Sequence, residues 1–179
     1  ELNTSADTPQ EIDASTFQKD ETANYIFHVP YNWKYSVEDA KFGQLDSYFI
    51  GDASYDGNIL FAKLWSDTEK NKYDSLESAT EEWVDGLYSN PDRVFNSEFP
   101  VEIEDFYSQN AKFVHSNFYR KQNDLNQSRY DLLVYDGKNN NFYSVTLSFQ
   151  YYEPFDIAEN YLELTEHSRM IFLTFRLNN

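Results

Sequence analysis

The 179-residue chain contains no cysteine, which removes disulfides, zinc–thiolate sites, iron–sulfur clusters and a cysteine nucleophile from consideration. It also lacks any apolar run near the ~18 residues that a membrane-crossing helix needs. Basic residues are scarce, 14 Lys and Arg against 31 Asp and Glu, for a net charge of −17. A surface of that sign repels phosphate backbones and anionic lipid headgroups. That argues against nucleic acid as a partner and leaves an N-terminal anchor as the route to a membrane. Catalytic signatures are missing too. No G-x-S-x-G elbow accompanies the histidines His28, His115 and His167, and no H-E-x-x-H occurs. The reading is therefore of structural histidines and a non-enzymatic chain, with no catalytic, cofactor or metal residues assigned.

What is present is aromatic: 15 Phe and 15 Tyr in a chain that is 40% hydrophobic. A chain of this length buries roughly 70% of its unfolded surface, so a sizeable core is expected. Residues 1–23 stand apart. They carry Glu1, Asp7, Glu11, Asp13, Asp20 and Glu21 against one Lys19, too little apolar surface to offset ordering entropy. They read as a flexible acidic tether, leaving one domain over 24–179. The start at Glu1 rather than Met is read as a mature form whose leader has been removed. Zero cysteine fits exported proteins of Gram-positive bacteria as well as cytosolic ones.

Within the domain, Tyr25–Val29 is rich in strand formers and stops at Pro30. Trp33–Val37 alternates. Asp46–Tyr55 and Asn58–Trp65 flank Asp56-Gly57, a hairpin turn signal. Ser75 caps a helix with Leu76, Ala79, Trp83 and Leu87 on one face and Glu77, Glu81, Glu82 and Asp85 on the other, closed by Asn90-Pro91. Val101–Phe106, Ala111–Arg120, Arg129–Tyr135 and Phe142–Tyr152 read as strands. Asp156 and Glu159 form a capping box for a last helix through Ile157, Tyr161, Leu164, Ile171 and Phe175. The order of strands, helix, strands and helix predicts an α+β fold, a mainly antiparallel sheet with a helix on each face.

The stretch Phe27-His28-Val29-Pro30-Tyr31-Asn32-Trp33-Lys34 resembles the opening of the PsbP-like superfamily, as do the Asp56-Gly57 hairpin, the mid-chain helix and the run Met170–Phe175. That group includes extrinsic proteins of photosystem II, a Ran-binding nuclear import factor and secreted bacterial lipoproteins. The resemblance implies an α/β/α sandwich and, through the acidic N-terminal segment, an extracellular, membrane-anchored lipoprotein. It carries over no activity, because one fold hosts unrelated functions.

Three constellations could carry chemistry. Glu102 and Glu104 alternate on a strand, placing their Cα atoms about 6.6 Å apart, near the carboxylate spacing of inverting glycosidases. Asp52, Asp56 and Asn58 resemble part of a calcium loop but lack its distal glutamate. Glu163 and His167 would share a helical face, with Glu166 beside them, but lack a third ligand. Finally, Tyr31, Trp33 and Tyr35 form a candidate aromatic surface patch, since exposed Tyr and Trp anchor proteins and stack on sugars. The leading expectation is a cell-surface or secreted binding module for a protein or glycan of the cell envelope. A carbohydrate-acting hydrolase and a divalent-cation binder are the alternatives.

Overall fold

In the computed structural model, the residues described are 17–21, 25–43, 47–51, 59–67, 73–106, 110–138, 141–151, 165–166 and 168–178. Three long strands make the centre: β8 (Ala111–Arg120), β9 (Leu125–Asp136) and β10 (Asn141–Tyr151). Each is buried on both faces along most of its length, which is why apolar and small residues occupy both sides of the alternation. β5 (Ile59–Asp67) pairs with the outer edge of β10, followed by β4 (Ser47–Ile50) and β3 (Lys34–Tyr35). At the other edge, β6 (Arg93–Phe95) and β7 (Glu102–Asp105) share β8 end to end. Every pairing is antiparallel.

α2 (Leu76–Tyr88) covers one face of this sheet through Leu76, Ala79 and Leu87, packed on Val114, Leu133 and Phe142. Its start is fixed by reciprocal bonds at the cap: Ser78 N–H donates to Ser75 Oγ at 3.1 Å, and Ser75 N–H to Ser78 Oγ at 3.3 Å. On the opposite face Phe113, Tyr130, Leu132, Val145, Leu147 and Phe149 meet Ile171 and Phe172 of a C-terminal helix, of which residues 168–172 are described. The α+β fold with a helix on each face is the one observed.

The second face has a further cover. β1 (Phe17–Glu21), β2 (Tyr25–Pro30) and β11 (Arg176–Leu177) form a separate three-stranded sheet, and Tyr25, Phe27 and Val29 enter the same core as the C-terminal helix. Thr174 ties helix to strand, its Oγ1 lying 2.9 Å from His28 N and 3.1 Å from His28 O. This corrects the expected tether over 1–23: residues 17–21 are a strand paired with β2. Backbone hydrogen bonding to an otherwise open edge holds a segment whose side-chain composition is too polar to drive burial. The remainder of that segment lies outside the described residues. So do Asp52, Asp56, Asn58, Asp156, Glu159, Glu163 and His167.

Candidate functional site

The expected patch sits where the chain leaves the small sheet for the edge of the large one. Tyr31 and Asn32 turn the backbone after β2, with Trp33 N–H donating to Pro30 O at 3.0 Å. Tyr31 is 71% exposed and Tyr35 49% exposed, but Trp33 is 5% exposed and belongs to the core. The patch is corrected at its middle residue: the turn at Tyr31 and Asn32 carries Trp33 into the core, while Tyr31 and Tyr35 face water. The structure adds apolar neighbours that the sequence reading did not include. β3 leads into α1 (Val37–Gly43), started by Ser36, whose Oγ lies 2.6 Å from Asp39 Oδ2. Val37 is exposed, Phe42 on α1 is 94% exposed, and Ile50 on β4 is exposed as well. Among the described residues, nine large hydrophobic side chains are exposed, and five of them fall between residues 31 and 50. Exposed apolar side chains are ordinary when scattered; these five lie along one edge of the sheet, where Tyr35 pairs with Phe49 and Ile50 with Lys34, so Tyr35 and Ile50 take opposite faces.

A second feature lies along α2. A notch of about 290 Å³ opens between the helix and the sheet, lined by Tyr73, Trp83, Gly86, Arg93 and Arg129, with Glu82 at its rim. Asp131 is fully buried, and Arg129 grips it with Nε at 2.9 and 3.0 Å and with Nη2 at 2.9 Å. Thr146 Oγ1 donates to the same carboxylate. The Arg129 guanidinium lies 5.4 Å from the Trp83 ring centre. Arg93 reaches under the C-terminus of α2, donating from Nη1 to Leu87 O at 3.3 Å, over the Phe118 ring at 5.0 Å. Burial, then the neighbouring positive charge of Arg129, pulls its pKa down to about 10. On the other flank of α2, Val84 and Ile103 line a hollow of about 430 Å³ with Lys112 and the acids Glu77, Glu81 and Asp85. Lys112 is already held 2.5 Å from Asp105.

The remaining sequence candidates are placed apart. Glu102 Oε2 lies 3.6 Å from His115 Nδ1, and Glu104 is ion-paired with Arg169. The two carboxylates share a sheet face, as the alternation implied, and each is engaged by a different basic side chain. His115 is 1% exposed, stacks on Tyr130 with ring centres 4.4 Å apart, and has Nε2 3.2 Å from Asn117 Nδ2. Burial drives its pKa down to about 4 against the opposing pull of Glu102, so the ring is neutral at pH 7. His28 is also lowered, by burial and then by Lys19. Both lie on strands, as expected. Among the described residues, no group of three His, Asp or Glu is placed to hold a metal ion, and no helix is long and apolar enough to cross a membrane.

No protein-family model and no curated protein sequence matches the chain. Two solved structures are similar over nearly its whole length. LpqN, involved in cell envelope biogenesis of Mycobacterium tuberculosis, matches 91% of this chain and 92% of its own with TM-score 0.52 at 12% identity. The Ran-binding protein Mog1p of Saccharomyces cerevisiae matches 90% of this chain and 95% of its own with TM-score 0.54 at 11% identity. The expectation raised by the Phe27–Lys34 motif thus holds for architecture: this chain has the PsbP/Mog1-like fold.

Proposed function

We propose that this chain is a non-enzymatic binding module of the cell surface, held there by its N-terminal end as an envelope lipoprotein, and that it docks a protein partner through the β3–α1–β4 edge. The observation that carries the reading is the concentration of Tyr31, Tyr35, Val37, Phe42 and Ile50 along that edge. LpqN, with the same fold, is involved in cell envelope biogenesis, which supports an envelope role, and Mog1p is a Ran-binding protein, which supports a binding role. A protein fits this edge better than a glycan. Sugar platforms use broad flat rings among polar neighbours, whereas the one tryptophan here is buried and Val37, Phe42 and Ile50 supply rounded apolar contacts of the kind that anchor protein interfaces. The chain as a whole carries a net charge of −17, so a basic partner would meet it faster and in a salt-sensitive way.

The test compares the chain with its Tyr31→Ser/Phe42→Asp variant for binding to envelope fractions of the cells that make it. Both side chains are exposed, so the variant folds. Binding that is destroyed by protease treatment of the envelope and drops at least tenfold in the variant supports the reading. Binding that survives protease but is lost after glycan digestion transfers the site to a carbohydrate. Equal binding by both proteins removes the patch from the account.

A further inference from the structure

We propose that the notch beside α2 is a binding site for a small planar carboxylate, with the carboxylate on Arg93 and the ring between Trp83, Tyr73 and Gly86. In a chain carrying 31 acids against 14 bases, two arginines line one small opening. Their situations differ. Arg129 is neutralised by its bidentate pair with buried Asp131. Arg93 has no ion pair among the described residues; Nη1 meets a backbone carbonyl, and Nε is buried with no hydrogen-bond partner there. Asp92, its chain neighbour, is engaged by Arg120 at 3.0 Å and by Gln122 N–H. Arg93 is thus the guanidinium of the notch without an ion pair among the described residues, with Glu82 as an opposing charge at the rim. In a half-buried setting a guanidinium is worth more to an anion than it is in water.

The charge selects the ligand. A monoanion cancels Arg93, whereas a dianionic phosphate would bring surplus negative charge beside Glu82 and Asp131. The walls select its shape. Trp83 and Tyr73 are flat, and a side chain built on Gly86 would meet nothing within 4 Å, so the helix backbone is open to close approach there. A glycine inside a helix is destabilising relative to alanine, and this one, Gly86, keeps the opening clear. The volume, about 290 Å³, stands at the small end of ligand pockets and suits one ring rather than a larger molecule.

The chain has three tryptophans, so its indole N–H signals in a nitrogen–proton correlation spectrum are few, and Trp83→Phe assigns the relevant one. Benzoate is the probe and benzyl alcohol its uncharged counterpart. Benzoate should move the Trp83 signal saturably with a dissociation constant of about 1 mM, the scale for so small a ligand. Benzyl alcohol should bind at least tenfold more weakly. Arg93→Gln should weaken benzoate tenfold or more. Gly86→Leu, which fills open space without touching the core, should abolish binding while the rest of the spectrum stays native. The proposal is overturned by a Trp83 signal indifferent to benzoate, by equal response to the alcohol, or by unchanged binding in Gly86→Leu. The edge patch enters none of these measurements.

Discussion

On β9, Tyr130, Leu132 and Val134 turn toward the small sheet and the C-terminal helix, while Arg129, Asp131 and Leu133 turn toward α2. Neighbouring strands follow the same division. The first face is filled by rings: Phe113 and Phe172 meet edge-on at 5.9 Å, and Tyr25 stacks on Phe175 at 5.6 Å. The second keeps a buried polar group, Asp131, Thr146 and Arg129, under a helix that covers it only in part. The aromatic face stabilises mainly through packing, with His115, Asn117 and Ser128 hydrogen-bonded to one another among the rings. A face carrying paired charges stabilises less but holds an opening with chemical character. The difference puts the packed rings on one side of the sheet and the notch on the other.

Substitutions on the two faces should therefore fail differently. The largest effect is expected at Phe172, fully buried against Phe106 and Phe113; Phe172→Ala should cost about 4 kcal/mol in denaturant unfolding. Asp131→Ala should cost about 3 kcal/mol, because it strands Arg129 half-buried without its anion. The two faces then separate on rescue. Adding Arg129→Met to Asp131→Leu should recover most of the loss, since an ion pair replaced as a unit is close to neutral, whereas no second substitution restores the Phe172 cavity. If the double replacement is as damaging as the single one, the polar group is no ion-pair unit and the contrast fails.

A smaller, pH-dependent effect belongs to the aromatic face. His115 faces Tyr130, Asn117 and Glu102, with the charge of Asp131 also felt. Its folded pKa, about 4, lies below the unfolded value near 6.5. Between these values the unfolded chain binds a proton that the native chain refuses, so stability is full above about pH 6.5 and falls as pH drops toward 4. By pH 5 the loss should be about 2 kcal/mol. His115→Gln should flatten that part of the stability–pH curve; an unchanged slope would show that the ring titrates normally.

The fold was legible where periodicity and caps agree. Ser75 and the spacing from Leu76 to Leu87 mark α2, and Ala111–Arg120 coincides with β8. What was missed is polar or held from elsewhere. β9 begins at Leu125 rather than Arg129, because buried Gln127 and Ser128 break the apolar pattern and are satisfied across strands by Ser148 at 2.8 Å and Asn117 at 2.5 Å. β6 is three residues whose sheet partner among the described residues is β8, and β1 is acidic and held by its ladder to β2. α1 carried a local signal, Ser36 three residues before Asp39, overlooked beside the alternation of Trp33–Val37. Of the site, Tyr31 and Tyr35 were readable from composition and turn position; the inward turn of Trp33 was not. Arg93 and Arg129 come from separate strands that do not pair with each other, so only the sheet order brings them to one opening.

The measurement that bears most directly on the account is envelope binding by two variants side by side, Phe42→Asp on the edge and Arg93→Gln in the notch. The account predicts that Phe42→Asp loses binding to the protein component of the envelope while Arg93→Gln retains it. Retention by Phe42→Asp, with loss in Arg93→Gln, would contradict it and move recognition to the α2 face.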